Sequence, residues 1–352
     1  MASKSLTIKH SHLHQPVARV ARLLMRKRLA AAQDLVGDLK DPEAVHEFRV
    51  AVRRARSIER AYRPYLAEVV TPKLRRRLKA VVAATGAARD TEVQLQRLSQ
   101  RRVDPRPHQQ PGFDWLQDRL ERRLQEEYAQ LEQDLAERFL LVHKPLHARL
   151  KAKREDPELS FAEVTAGLLL EVSGDFSLRC AQIRSDSSEE PLHRARISGK
   201  RLRYLLEPLT GVFPEAKSLV SDLKVLQDLL GEIRDLQVFG AELGQAAEEA
   251  GAARMRKLIE MSLTLPREAP EWLLARQQDE RAGLMSLARD LHTRQVDLVA
   301  HLRARLAGGS ADALVAGVRD LARDCARSGL PPAEPERALG DKPAEATSPA
   351  GE

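Results

Sequence analysis

The chain repeats itself, and that repetition limits what it can become. AVHEFRVAVRRARS, Ala44 to Ser57, aligns with PLHRARISGKRLRY, Pro191 to Tyr204. His46 falls on His193, Arg49 on Arg196, Arg54 on Arg201 and Arg56 on Arg203; Arg53 meets Lys200 and keeps its charge. Further on, LKAVVAATGAARDTEV from Leu78 matches LKVLQDLLGEIRDLQV from Leu223. That block pairs Lys79 with Lys224, Gly86 with Gly231, Arg89 with Arg234 and Asp90 with Asp235. A third block, FDWLQDRL around Trp115, resembles PEWLLARQ around Trp272. Three blocks in one order describe a tandem duplication. Its units are far longer than a solenoid period of about 20–50 residues, so two similar helical domains are expected.

The expectation of helix rests on pattern. Long stretches carry apolar residues at helical spacing, and alternating strand patterns are hard to find. Aromatic residues are only 4% of the chain, and Leu, Ala and Arg dominate. The fold class expected is all-α. Residues 1–15 form a flexible N-terminal segment, 16–155 the first helical-bundle repeat and 156–307 the second. Residues 308–352 form a C-terminal extension, largely disordered apart from a short helix over 311–327.

Within the first unit, a helix runs from Pro16 to Val36. Asp41 caps the next, with Pro42 at its first position, and Arg63-Pro64 ends it near Tyr62. Thr71-Pro72 opens a third that continues to Gln100. RRVDPRPHQQPG is a loop, Asp114 caps a long helix to about His143, and Lys144-Pro145 kinks or breaks it. The second unit opens near Phe161, loops over Ser185 to Pro191 and repeats the order to Leu306.

A helix turns about 100° per residue. With His46 at zero, Arg49, Arg53, Arg56 and Arg60 lie within a stripe about 80° wide. Phe48, Ala51, Val52, Ala55, Ile58 and Tyr62 fall opposite, as a core-facing side. Around His193 the same construction puts Arg196, Lys200 and Arg203 in the stripe, and Leu192, Leu202, Leu205 and Leu206 on the buried face. Arg54 and Arg201 lie on a flank. A solvated helix face normally mixes signs for i,i+4 pairing. These ridges are nearly all positive and occur twice at matched positions, which points to an anionic ligand.

The formal charge is +7 and the pI about 9.5, a balance that suits a polyanion, an anionic surface or an acidic protein. Phosphate fits the residue types. Arginine grips phosphate oxygens with a planar fork, lysine adds a mobile charge, and histidine can donate as well. Charges at i, i+3 or i+4, and i+7 form a row about 5 Å apart that a linear polyanion can follow. Two ridges facing one another would make a basic cleft around such a chain.

HxxRVxxRRxR followed later by GxxRD resembles the CHAD family, the conserved-histidine α-helical domain. The second copy is the closer match, and the resemblance covers roughly Pro16 to Leu306. It implies two tandem pseudo-symmetric antiparallel four-helix bundles with a basic central channel or cleft. It also implies binding of inorganic polyphosphate and association with polyphosphate granules. The ligands it carries over are His46, Arg49, Arg53, Arg56 and Lys79 from one half, and His193, Arg196, Lys200, Arg203 and Lys224 from the other. Arg54, Arg60 and Arg201 extend the candidate set. Arg89 and Arg234 each precede an aspartate, so a structural ion pair and a ligand contact stay open for both. Tyr204 lies beside the second ridge without a counterpart in the first, where Ser57 stands. Relatives often accompany a CYTH triphosphate-tunnel domain, whose ExExK strand motif is absent from this sequence.

Other chemistry finds little support. No GxxxxGK[ST], strand–helix GxGxxG or GxSxG motif is present. The ridges lack an acid or base suited to turnover, so a non-enzymatic binding protein without cofactor or metal is expected. HSHLH (His10, His12, His14) lacks a fourth metal ligand, and Pro145 is expected to misalign His143 and His147. Cys180 and Cys325 form no CxxC pair. No leader and no run of 18 apolar residues is visible, so a cytoplasmic chain without membrane insertion is expected. Nucleic acid is the alternative partner, and a polyphosphate-metabolising enzyme the alternative activity.

Overall fold

The computed structural model describes residues 7–101, 106–152, 159–183, 189–277 and 279–329. Among these, the regular elements are helices, and β-type pairing is confined to one isolated bridge, Pro16 with Ser160. None of the helices is long and apolar enough to cross a membrane.

Local chemistry sets many of the helix ends. Pro16 precedes α1 (Val17–Gln33). The Asp41 carboxylate accepts from the amides of Glu43 and Ala44 and starts α2 (Pro42–Ala61). The chain breaks at Tyr62 and makes one further turn, α3 (Arg63–Leu66). Thr71 caps α4 (Pro72–Ala84). The single helix expected from there to Gln100 divides at Thr85, where α5 (Gly86–Arg101) begins. The Thr85 hydroxyl bonds back to the Val82 carbonyl and competes with the regular ladder.

The long fourth helix, α6 (Gln110–Lys151), starts four residues before Asp114 and does not break at Pro145. Proline removes the amide that would have met the Leu141 carbonyl. Arg77 donates to that carbonyl instead, at 3.3 Å. Val142, Leu146 and Leu150 stay buried along the same face. His143 and His147 therefore do share a helix face, with ring centroids 5.4 Å apart.

The second copy follows with α7 (Phe161–Ala181), α8 (Glu189–Leu206), α9 (Pro214–Thr264), α10 (Pro270–Gln277), α11 (Glu280–Ala307) and α12 (Ser310–Gly329). Ser160 and Glu163 form a capping box at the start of α7. α8 begins at Glu189, so Pro191 lies in its first turn rather than in a loop. Residues 185–188 of that loop lie outside the described residues, as do 102–105 of the earlier one.

Both terminal expectations need correction. The described part of the N-terminal segment is packed in place: Ile8 and Leu13 are buried, and the Ile8 amide donates to Pro208 in the second half. At the other end, α12 belongs to the core. It packs chiefly on α7 and α9, burying Leu314, Val315, Val318, Leu321 and Cys325. The second unit thus extends to Gly329. Its last stretch is two helices where the first copy has one, because the chain turns at Gly308-Gly309, with Gly309 at φ +79°. The tail from 330 lies outside the described residues.

Across the two halves, four pairs of counterpart helices meet: α1 touches α7, α2 touches α8, α5 touches α9, and α6 touches α11. A two-fold relation between the copies would give this pattern. The chain entries to α1 and α7 are tied in the same way, Val17 donating to Leu159 and Phe161 to Gln15. Buried side chains from both copies form one continuous core.

The α6–α11 crossing corrects the third sequence match. A Cβ on Gly112 would stand 2.9 Å from the Gly283 Cα and closer still to the Glu280 carbonyl oxygen. Gly112, Phe113, Leu116 and Leu120 correspond to Gly283, Leu284, Leu287 and Leu291, and these leucines and the phenylalanine are buried. Trp272 instead sits on α10 and is not the counterpart of Trp115. Tryptophan identity gave the wrong register; the Gly-then-Leu spacing carries the right one.

Candidate functional site

The crossing of α2 and α8 builds the site. Phe48, Val52, Ala55 and Ile58 hold one face of α2 in the core; Leu192, Ala195, Leu202 and Leu205 do so for α8. Several of the side chains left over line a groove shared by the two helices. It has two arms, and Arg53 and Lys200 line both.

The polar arm is an open cleft of about 690 Å³. His46, Arg49 and Arg53 of α2 and Arg196, Lys200 and Arg203 of α8 line it, with α5 and α9 as its walls. The other arm, about 480 Å³, lies against α7. Arg56, Arg60 and Arg201 edge it over a floor that includes Leu168, Val172, Ile197 and Leu205.

Some of these cations are braced. Arg49 donates to the Val82 carbonyl at 3.0 Å and to the Thr85 hydroxyl at 3.1 Å. Glu207, just beyond α8, takes Arg54 of the first half at 3.2 Å and Arg203 of the second at 3.5 Å. Others have no such support. Arg53, Arg196 and Lys200 make no side-chain hydrogen bond or ion pair among the described residues, and the Nε atoms of Arg53 and Arg196 are buried without a partner.

The electrostatic consequence is plain in Lys200. Burial, and then the charges of Arg196, Arg53 and Arg203, push its ammonium down to about 7. Burial and the neighbouring Arg53 also lower Arg49. Arg196 is lowered by burial and by Arg53 and Arg234, against the opposing pull of Asp235. His46 is lowered by burial and then by Arg89. These groups are crowded together with too little negative charge to match.

The candidates do not all converge. Lys79 and Lys224 are exposed and line neither arm. His193 is half-buried, lines neither arm, and has an Nδ1 without a partner. Arg234 is turned to Glu189 at 3.2 Å. Arg89 does line the polar arm, and it pairs with Glu92 at 2.9 Å rather than with the adjacent Asp90. The flanking residues separate: Arg201 reaches the α7 arm, whereas Arg54 is committed to Glu207.

Several lining residues were not singled out from the sequence. Arg97 of α5 lines the polar arm and reaches Asp235 of α9 at 3.5 Å. Asp90, Asp228, Glu232 and Asp235 line it too. Burial, with a smaller effect from Asp235, raises the Asp90 carboxyl. The duplicated Arg-Asp step was the signal for Asp90 and Asp235; nothing comparable marks Arg97 or Glu207. Among the described residues, no group of three or more metal-ligating side chains is gathered, and the His12 Nδ1 is occupied by the Lys9 amide.

A family model described as CHAD domain matches residues 19–244. Two solved structures share the architecture. The crystal structure of the CHAD domain from the plant Ricinus communis is 21% identical, with a TM-score of 0.58 over 83% of this chain and 96% of its own. PptA from Streptomyces chartreusis is 16% identical, with a TM-score of 0.60 over 88% of this chain and all of its own. At these identities the likeness concerns the fold. No curated protein matches the sequence.

Proposed function

The chain belongs to the CHAD domain family, and on that premise we propose that its groove binds inorganic polyphosphate without turning it over. One observation carries the reading. Arg53, Arg196 and Lys200 are drawn together, half-buried, with no ion-pair partner among the described residues. Holding cations this way costs stability unless a ligand brings the opposite charge. A polyphosphate chain carries repeated charge along a line, and the two ridges offer it two rows of donors. Arginine forks bind its oxygens in bidentate fashion. Recruitment to polyphosphate granules follows from the same contact.

Nucleic acid is the second reading. Proteins that hold single strands stack successive bases on aromatic side chains. Among the described residues the polar arm is lined by no Phe, Tyr or Trp, and the α7 arm by Tyr62, itself buried, and Tyr204. Turnover has weaker support. Of the four carboxylates that line the polar arm, two, Asp235 and Glu232, are paired with Arg97 and Arg294.

The test is titration of the full chain with polyphosphates of defined length, against single- and double-stranded nucleic acid, at two salt concentrations. Length-dependent polyphosphate binding that weakens with salt supports the reading. Displacement of polyphosphate by nucleic acid at equal phosphate concentration would favour the alternative. Phosphate release, with or without Mg²⁺, would overturn the non-enzymatic part.

A further inference from the structure

The α7 arm does not look like a place for inorganic phosphate alone. Its floor is aliphatic, with Leu168 and Val172 from α7 facing Ile197 and Leu205 from α8. An inorganic polyanion gains nothing from apolar walls, which only remove water from its charges. Yet cations stand around this floor, and the arm joins the polar cleft through Arg53 and Lys200. A cavity with an apolar body and a charged end fits a ligand divided in the same way. Its volume of about 480 Å³ falls within the range of about 300–1,000 Å³ usual for small-ligand sites.

Besides the Arg53 Nε, two polar groups in the lining lack partners. The Tyr204 hydroxyl and the Arg201 Nε are buried and make no hydrogen bond among the described residues. Buried donors left this way are costly unless something completes them. Tyr204 also sets the Arg203 guanidinium 5.3 Å from its ring centre, which fixes the ring as one wall. Glu171 is the acid among the lining residues. It would repel a phosphate but could accept from an exocyclic amine.

We propose that this arm is a site for a nucleoside di- or triphosphate, its base on the floor between α7 and α8 and its phosphates toward Arg53 and Lys200. The direction of the phosphates rests on the polyanion reading of the groove; the base site rests on the floor and its unpartnered donors. Long polyphosphate and nucleotide would compete at the shared pair of cations while differing at the floor. Leu168 would touch the base and not the inorganic chain.

Calorimetric titration with ATP, ADP and tripolyphosphate tests this. ATP and tripolyphosphate offer the same number of phosphates, so the floor should show as about tenfold tighter binding of ATP. Leu168→Trp, which fills the floor at a half-buried position, should abolish that preference, so that ATP and tripolyphosphate bind the variant alike. Leu168→Ser serves as the smaller control should the tryptophan disturb folding, checked by thermal melting. Tripolyphosphate binding as tightly as ATP would overturn the proposal. So would Leu168 variants that weaken both ligands equally. If ATP keeps its preference but long-chain polyphosphate does not bind, the base site stands and the polyphosphate reading falls. If only inorganic chains bind, the reverse holds.

Discussion

Arg53 and Lys200 occupy the same position in the two copies of the duplicated sequence, and they line the same groove from opposite helices. Neither has an ion-pair partner among the described residues. The groove is therefore centred on the two copies of one residue position.

Substitution at that centre should outweigh substitution elsewhere on the basic surface. A hydrogen bond to a charged group contributes about 1.5–3 kcal/mol, so Arg53→Ala or Lys200→Ala should each weaken polyphosphate binding by about tenfold or more. Lys79→Ala and Lys224→Ala, outside both arms, should cost less than about twofold. Titration with one polyphosphate length at fixed salt compares them. Equal losses at all four positions would mean that the ligand does not follow the groove.

Lys200 should make binding depend on pH. With the groove empty it titrates near 7, held down by burial and by Arg196, Arg53 and Arg203. A bound polyanion favours the charged form, so complex formation above pH 7 takes up a proton. Affinity should fall as pH rises from 7 to 9, by at most about tenfold per unit. Lys200→Arg, which stays charged, should flatten that slope. Stability of the empty protein runs the other way. The folded chain binds fewer protons at this site than an unfolded lysine does between about 7 and 10, so this site makes folding more favourable as pH rises through that window. Proton uptake and melting curves across pH read the two effects separately.

Glu207 should matter to the empty protein. It is a counter-charge for Arg54 of one half and Arg203 of the other, with side chains 14–20% exposed. Glu207→Ala removes that shared carboxylate and should cost about 2 kcal/mol. Added polyphosphate should raise the melting temperature of the variant more than that of the parent, since the ligand replaces part of the missing charge. Equal shifts would separate Glu207 from the ligand's electrostatics.

The contact between halves should be sensitive to a single methyl group. Gly112→Ala or Gly283→Ala drives a Cβ into the opposing backbone, where neither helix can yield cheaply; about 1–3 kcal/mol should be lost. Gly167→Ala on α7 meets nothing within 4 Å and should stabilise by about 0.5–1 kcal/mol. Chemical denaturation of the three variants tests the contrast.

The sequence by itself determined the helices, the duplication and the side of each helix that carries charge. Those follow from local periodicity: Phe48, Val52 and Ile58 lie opposite Arg49, Arg53 and Arg56 on any helix. Asp41 and Thr71 mark helix starts because capping is a contact between residues close in the chain. The tertiary structure decided what the charges face. Lys79 and Lys224 match across the repeat yet lie outside the groove, while Arg97 and Glu207 enter the charge network through partners 138 and 153 residues away. Where α6 runs through Pro145, the freed Leu141 carbonyl is met by Arg77 of another helix, and the register of the halves shows in the contact between Gly112 and Gly283. Helical periodicity is a property of neighbours along the chain. Counter-charge, floor and register are properties of neighbours in space.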